Sequence, residues 1–118
     1  VDVANYSGGD QRFKFGFTNG GSWNTVDSTT VVATSTWWHV VGVFDNSANT
    51  LKVYINGVLS GTTTGVTATP ASTSGTDLTI GAYEDGNYEY IDGAIDDARI
   101  YNRALSATEV ANLYNLGR

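Results

Sequence analysis

Alternating apolar and polar side chains predict short β-strands along most of the chain. Over residues 12–17, Phe13, Phe15 and Phe17 alternate with polar or small residues, which is the period-two pattern of a strand with one buried face. Residues 37–44 are apolar on both faces, as in a strand at the centre of a sheet. By the same criteria we expect further strands at residues 22–26, 29–34, 51–55, 58–64, 77–81 and 94–102.

Two dipeptides and one segment predict the links between these strands. Asn56-Gly57 is the strongest hairpin signal in the chain, because both residues accept the positive φ values of a type I′ turn. Asp27-Ser28 is expected to separate two short strands. Residues 83–93 are acidic and rich in tyrosine, which is typical of a loop that faces solvent.

The sequence also predicts a single helix close to its C-terminal end. Ser106 and Glu109 have the spacing of a capping box, in which each residue satisfies a backbone donor at the start of the helix. Gly117 is expected to end the helix in a left-handed conformation. The residues between them include an apolar stripe at i, i+3 and i+4 made of Val110, Leu113 and Tyr114.

Length and composition fit one globular domain spanning residues 1–118. A chain of 118 residues leaves no room for two domains of ordinary size. Hydrophobic residues make up 41% and charged residues 15%, a balance that supports a packed core. Short strands joined by Gly and Asn turns, with one helix, favour an all-β sandwich.

Charge and residue usage exclude several classes of function. The net charge of −6 would repel phosphate backbones, and the six Lys and Arg residues form no cluster, so we expect no nucleic-acid binding. No apolar run is long enough to insert into a membrane. Without cysteine, disulfides and thiolate chemistry are excluded. Because there is no Met, we expect that Val1 is not a translation start and that any signal peptide has been removed or lies upstream.

Four segments, taken in order, resemble the laminin-G-like, concanavalin A-like lectin/glucanase domain. They are the tryptophan-rich run at 37–45, Val-Tyr-Ile-Asn-Gly at 53–57, Leu-Thr-Ile-Gly at 78–81, and residues 93–106 followed by Glu109. The resemblance extends over about residues 5–116 and implies an antiparallel jelly-roll β-sandwich with a short C-terminal helix. It also implies a secreted or cell-surface protein.

The chain departs from this family at its N-terminal end. Members usually carry several earlier strands, one of which pairs beside the last strand, and the sequence supplies none of them. Without them the last strand would expose unpaired backbone groups. We therefore expect another polypeptide, or a second copy of the chain, to supply the missing strands; the alternative is a compact variant whose early strands realign.

The sequence predicts a protein without catalytic activity. Related glucanases align their carboxylates on one strand, whereas Glu84 and Glu89 fall in a predicted loop and Glu109 belongs to the helix cap. His39 is the sole histidine, and no Gly-x-Ser-x-Gly motif accompanies it, so we expect a structural role for it. A polysaccharide hydrolase whose acids lie on the missing strands is the remaining alternative.

The resemblance also implies a structural calcium ion. Several related sandwiches bind calcium through the Asp that opens the last strand, which is Asp96 in this chain, and Asp92 and Asp97 are the next candidates. Calcium prefers about six to eight oxygen ligands. In the alternative, Asp96 caps backbone amides while Asp97 pairs with a base such as Arg99, or remains solvated.

Aromatic and acidic residues are the candidate ligand-binding groups. Sugar rings stack their C–H faces on Trp and Tyr, while carboxylates bond to the hydroxyl groups. Trp37 is expected in the core, Trp38 on the open face of the sheet, and Trp23 in or beside a loop. We therefore predict a non-catalytic extracellular module that binds a glycan or a matrix component, and the alternative is a structural or adhesive subunit of an assembly. The candidate binding residues are Trp38, Tyr83, Glu84, Asp85, Tyr88 and Tyr90.

Overall fold

The computed structural model of the chain describes residues 2–5, 11–72, 80–81 and 91–117. These residues form six strands and one helix, in the order β1 (Asp2–Asn5), β2 (Gln11–Thr18), β3 (Trp23–Val31), β4 (Val40–Asp45), β5 (Thr50–Ile55), β6 (Val58–Thr64) and α1 (Ala107–Leu116). All of these elements lie in one compact unit, residues 1–71 and 103–118, and residues 72–102 make up a second unit. The predicted all-β class with a short C-terminal helix is confirmed, whereas a single domain over residues 1–118 stays a prediction.

The strands of the first unit form two antiparallel sheets. One sheet has the order β1-β2-β3 and the other has the order β4-β5-β6. Strands β3 and β6 contact each other across the two sheets through side chains that bond to backbone. Ser60 Oγ accepts the N–H groups of Thr29 and Thr30 at 3.1 and 3.2 Å, and Thr63 Oγ1 donates to the Thr25 carbonyl at 2.9 Å.

Strand β5 contributes side chains to two separate cores because successive residues point to opposite faces. On one face, Leu51, Val53 and Ile55 are buried against residues of the first sheet that include Phe13. On the other face, Tyr54 is buried in a second cluster. The second cluster also contains Val43, Leu105 and Val110, so α1 covers the outer face of the β4-β5-β6 sheet. Burying one Val or Leu side chain completely contributes about 1.5–3 kcal/mol.

The predicted hairpin turn at Asn56-Gly57 is confirmed. Asn56 has φ 51° and Gly57 has φ 79°, which are the two positive values of a type I′ turn. Asn56 is also bonded to the residue before β4, since its Oδ1 accepts the His39 N–H at 3.0 Å and its own N–H donates to the His39 carbonyl at 2.8 Å. The Tyr114 ring of α1 lies 5.7 Å from the His39 ring. Through His39, the β5–β6 turn is therefore linked both to the start of β4 and to α1.

The predicted capping box of α1 is also confirmed. Ser106 Oγ accepts the Glu109 N–H at 3.2 Å, and Glu109 Oε2 accepts the Ser106 N–H at 2.8 Å. Arg103 donates to both carboxylate oxygens of Glu109, at 3.0 and 2.7 Å. The hydrogen bonds from Arg103, and to a smaller extent those from Ser106, lower the pKa of Glu109 to about 2. The expected left-handed end at Gly117 is wrong, since its φ is −89° and its N–H bonds to the Leu113 carbonyl at 3.3 Å.

Three sequence predictions about strands are corrected by the structure. The expected strands at 22–26 and 29–34 are one strand, β3, because Ser28 is buried and its Oγ accepts the Phe13 N–H at 3.1 Å. The strand expected over 37–44 begins only at Val40. In addition, β1 pairs with β2 where the alternation pattern predicted no strand.

The second unit contains the largest difference from the predicted strands. Residues 94–102 were expected to form the last strand, but the described residues 91–102 contain no strand, and all of them are exposed. Of the strand expected over 77–81, residues 77–79 lie outside the described part of the chain, and Ile80 and Gly81 belong to no strand. None of the helices in the described part of the chain is long and apolar enough to cross a membrane.

Candidate functional site

Most of the predicted ligand-binding residues lie outside the part of the chain that the structure describes. This is the case for Tyr83, Glu84, Asp85, Tyr88 and Tyr90. Their role in binding stays a prediction. The structure places the other candidates, namely Trp38 and the three aspartates.

Trp38 and Trp37 have the opposite environments to those predicted. Trp38 is half-buried; its ring packs edge-on against Phe13 at 5.9 Å, and its Nε1 donates to the Ala33 carbonyl at 3.1 Å. Trp37, which was expected in the core, is 67% exposed. Both residues precede Val40, where β4 begins, so the alternation of a strand does not fix their direction. Trp38 thus anchors its loop to the core, and a contact with ligand stays a prediction for it.

Asp92, Asp96 and Asp97 are exposed, and two of them have local partners. Asp96 Oδ1 accepts the N–H of Asp97 at 2.8 Å, and Asp97 Oδ1 accepts a bond from Arg99 Nη2 at 3.3 Å. Among the described residues, no three His, Cys, Asp or Glu side chains are close enough to hold one metal ion. The observed bonds are those of the alternative in which Asp96 caps an amide and Asp97 pairs with Arg99. The described residues therefore do not by themselves form a calcium site.

His39 has contacts on both its backbone and its ring. The backbone exchanges hydrogen bonds with Asn56, and the half-buried ring lies against Tyr114. These contacts hold the β5–β6 turn and α1 against the start of β4. The expected structural role is in keeping with this placement, while the absence of catalysis stays a prediction.

Two tryptophans are among the exposed large apolar side chains of the described residues. Trp23 is 68% exposed at the first residue of β3, and Trp37 is similarly exposed in the loop before β4. Tryptophan is highly buried on average, so these two indoles are aromatic candidates for ligand contact among the described residues. The sequence placed Trp23 beside a turn, but neither alternation nor spacing gives the degree of exposure of a side chain.

Comparison with known proteins confirms the resemblance found in the sequence. The model of the laminin-G-like family, described as the concanavalin A-like lectin/glucanases superfamily, matches residues 3–111. The chain belongs to this superfamily. No curated protein matches the chain.

One solved structure is similar to this chain in architecture. It is the crystal structure of residues 221–444 of an S-layer domain-containing protein from Clostridium thermocellum, with a TM-score of 0.60 and 28% sequence identity. The similarity covers 90% of this chain and 52% of that one. The chain therefore spans about half the length of the solved fragment that it matches.

Proposed function

Starting from that membership, we propose that the chain is a non-catalytic, extracellular module that binds carbohydrate or a carbohydrate-bearing matrix component. The observation that carries this proposal is the pair of exposed indoles, Trp23 at 68% and Trp37 at 67%. An indole face offers apolar stacking area to the C–H face of a sugar ring, and the ring edge remains in water. The family, and the S-layer protein of similar structure, support a place outside the cell.

The charge of the chain favours a neutral polysaccharide over an anionic one. The net charge is −6, so a polymer of uronic acids or sulfated sugars would be repelled at low ionic strength. Neutral glucans, xylans and chitin-type chains meet no such barrier. The proposed ligand is therefore an uncharged polysaccharide or glycan.

Affinity electrophoresis tests this function directly. The protein is run in native gels that contain a neutral β-glucan, xylan or glycol chitin, with polygalacturonate as the charged control, each with and without calcium. We expect slower migration in at least one neutral gel and unchanged migration in the charged one. Unchanged migration in every gel would contradict the proposal, and release of reducing sugar from the same polymers would contradict the absence of catalysis.

Structural calcium remains part of the proposal, with Asp96 as the ligand of first choice and Asp92 and Asp97 behind it. The bond from the Asp97 N–H uses Asp96 Oδ1, and a carboxylate has further lone pairs for a cation. Calcium at about 100 times its Kd would stabilise the protein by about 2.7 kcal/mol. We expect EDTA to lower the Tm of the wild type and to have little effect on Asp96→Asn, with Asp45→Asn, an acidic turn residue of the first unit, as the control that keeps the response. A Tm unchanged by EDTA and by added calcium would contradict the proposal.

A specific observation also favours a second function, that of a structural or adhesive subunit completed by strands from another chain. Residues 94–102 have a strand-like sequence but belong to no strand among the described residues, and Ile95 and Ile100 are 46% and 79% exposed. A segment of strand-like sequence that pairs with no other described strand is a template for pairing with a strand of another chain. We expect light scattering to show dimers or polymers that Ile100→Asp disrupts and that Val58→Asp, at a comparably exposed position of β6, does not. A monomer at all concentrations would contradict self-assembly.

A further inference from the structure

Trp23 lies at the corner of the first sheet where β2 turns into β3. It pairs directly opposite Thr18. Its side chain is on the sheet face opposite to the core, because the paired residues Phe15 and Val26, each three positions away along its strand, point inward. Its indole is 68% exposed. This placement presents a flat apolar ring beside Thr18 at the end of the β2-β3 pair.

The turn beside Trp23 is held rigid by its own hydrogen bonds. Asn19 Oδ1 accepts the N–H groups of Gly21 and Ser22 at 3.2 and 2.9 Å, and the Asn19 N–H donates to the Ser22 carbonyl at 3.2 Å. Thr18 Oγ1 accepts the Gly20 N–H at 3.1 Å. These bonds fix the positions of the polar groups before any ligand arrives, which lowers the entropy lost on binding.

The groups around the indole are polar but uncharged. Thr18, Asn19 and Ser22 offer hydroxyl and amide groups within the same turn. The charged pair on the same sheet face, Lys14 and Asp27, forms a salt bridge of 2.9 Å, so the two opposite charges offset each other. An aromatic face surrounded by neutral donors and acceptors complements a sugar ring, which has an apolar C–H face and hydroxyl groups at its rim.

We propose that Trp23 and the turn of residues 19–22 form a binding site for one ring of a neutral saccharide. The indole stacks on the C–H face of the ring, and the Asn19 amide and the Ser22 hydroxyl bond to its hydroxyl groups. The inference rests on the proposed carbohydrate-binding function, and it assigns to that function residues that are separate in sequence from the tyrosines at 83–90. The site lies wholly within the first unit.

Three variants test the site in the neutral polysaccharide gels described above. Trp23→Ala removes the stacking surface, and we expect the dissociation constant for the retaining polymer to rise about tenfold. Trp23→Phe keeps an aromatic face and is expected to restore part of the affinity. Val58→Ala is the control, since Val58 is 69% exposed on β6 and forms no part of the proposed site, and we expect it to bind like the wild type.

The outcomes separate this inference from the function on which it rests. If the wild type is retained on a polymer and Trp23→Ala binds equally well, or if Trp23→Ala and Val58→Ala lose affinity equally, the site is overturned and the function still stands. Absence of wild-type retention on every polymer overturns both. Because Trp23 is exposed, the Tm of Trp23→Ala should match that of the wild type. If the Tm is lower, the double variant Asn19→Ala/Ser22→Ala takes the place of Trp23→Ala in the test. Wild-type affinity of that double variant would also overturn the site.

Discussion

Replacing Ser60 by alanine would remove the Ser60 hydrogen bonds that join β3 to β6. Ser60 is 9% exposed, and its Oγ accepts the N–H of Thr29 at 3.1 Å and that of Thr30 at 3.2 Å. The same oxygen lies 2.9 Å from Thr30 Oγ1. In Ser60→Ala the methyl group fits the same space, but two backbone donors at the junction of the sheets lose their acceptor.

The expected cost follows from the solvent access of these two donors. A buried donor that loses its partner costs about 1–3 kcal/mol. Thr29 is exposed, so water can take over part of the lost bond, whereas Thr30 is half-buried. We therefore expect Ser60→Ala to lower the free energy of unfolding by about 2 kcal/mol. For a domain of this size, that change corresponds to a fall in Tm of about 8 °C.

Urea denaturation followed by far-ultraviolet circular dichroism measures this cost. Ser72→Ala, at an exposed serine, is the control and should change the free energy of unfolding by no more than about 0.5 kcal/mol. If Ser60→Ala were as stable as Ser72→Ala, the Ser60 hydroxyl would not join β3 to β6, and the reasoning would be refuted.

Two further predictions concern the core and the helix cap. Leu51→Ala, at a fully buried position of β5, should cost about 2–5 kcal/mol in urea denaturation, whereas Leu116→Ala, which is 81% exposed, should cost little; similar losses would contradict the packing. Glu109 has its pKa lowered to about 2 by Arg103 and Ser106, so its stabilising effect is complete above the usual pKa of 4.5 and is lost as the pH falls towards 2. Glu109→Gln should therefore be less stable than the wild type at neutral pH and equal to it near pH 2, and a difference that does not change with pH would contradict this account.

The sequence predicted those elements whose causes are local. Asn56-Gly57 specifies its type I′ turn through the φ values that the two residues tolerate. Ser106 and Glu109 specify the start of α1 because both partners of the capping box lie within one helical turn. The strand at 58–64 coincides with the predicted range for the same reason, since the hairpin turn fixes where it begins.

The elements that the sequence missed depend on residues far apart in the chain. Serine is a common turn residue, yet Ser28 is buried within β3, where its hydroxyl accepts the Phe13 N–H of β2. The environment of Trp38 is set by Phe13, a residue that no local pattern connects to it. Likewise, pairing of residues 94–102 needs a partner strand that alternation cannot reveal. Of the candidate site, the sequence indicated Trp23 as an aromatic beside a turn, but its exposure and the rigidity of the turn required the structure.

The central claim, that the chain recognises a neutral glycan through an exposed aromatic corner of the first sheet, is tested most directly by nuclear magnetic resonance. A neutral oligosaccharide cut from the polymer that retains the protein is titrated into isotope-labelled protein, and amide and indole N–H shifts are followed. The account predicts saturable shifts at residues 19–22 and at the Trp23 indole N–H. A titration that leaves these signals unmoved, or that moves only signals of α1 and its neighbours, would contradict it.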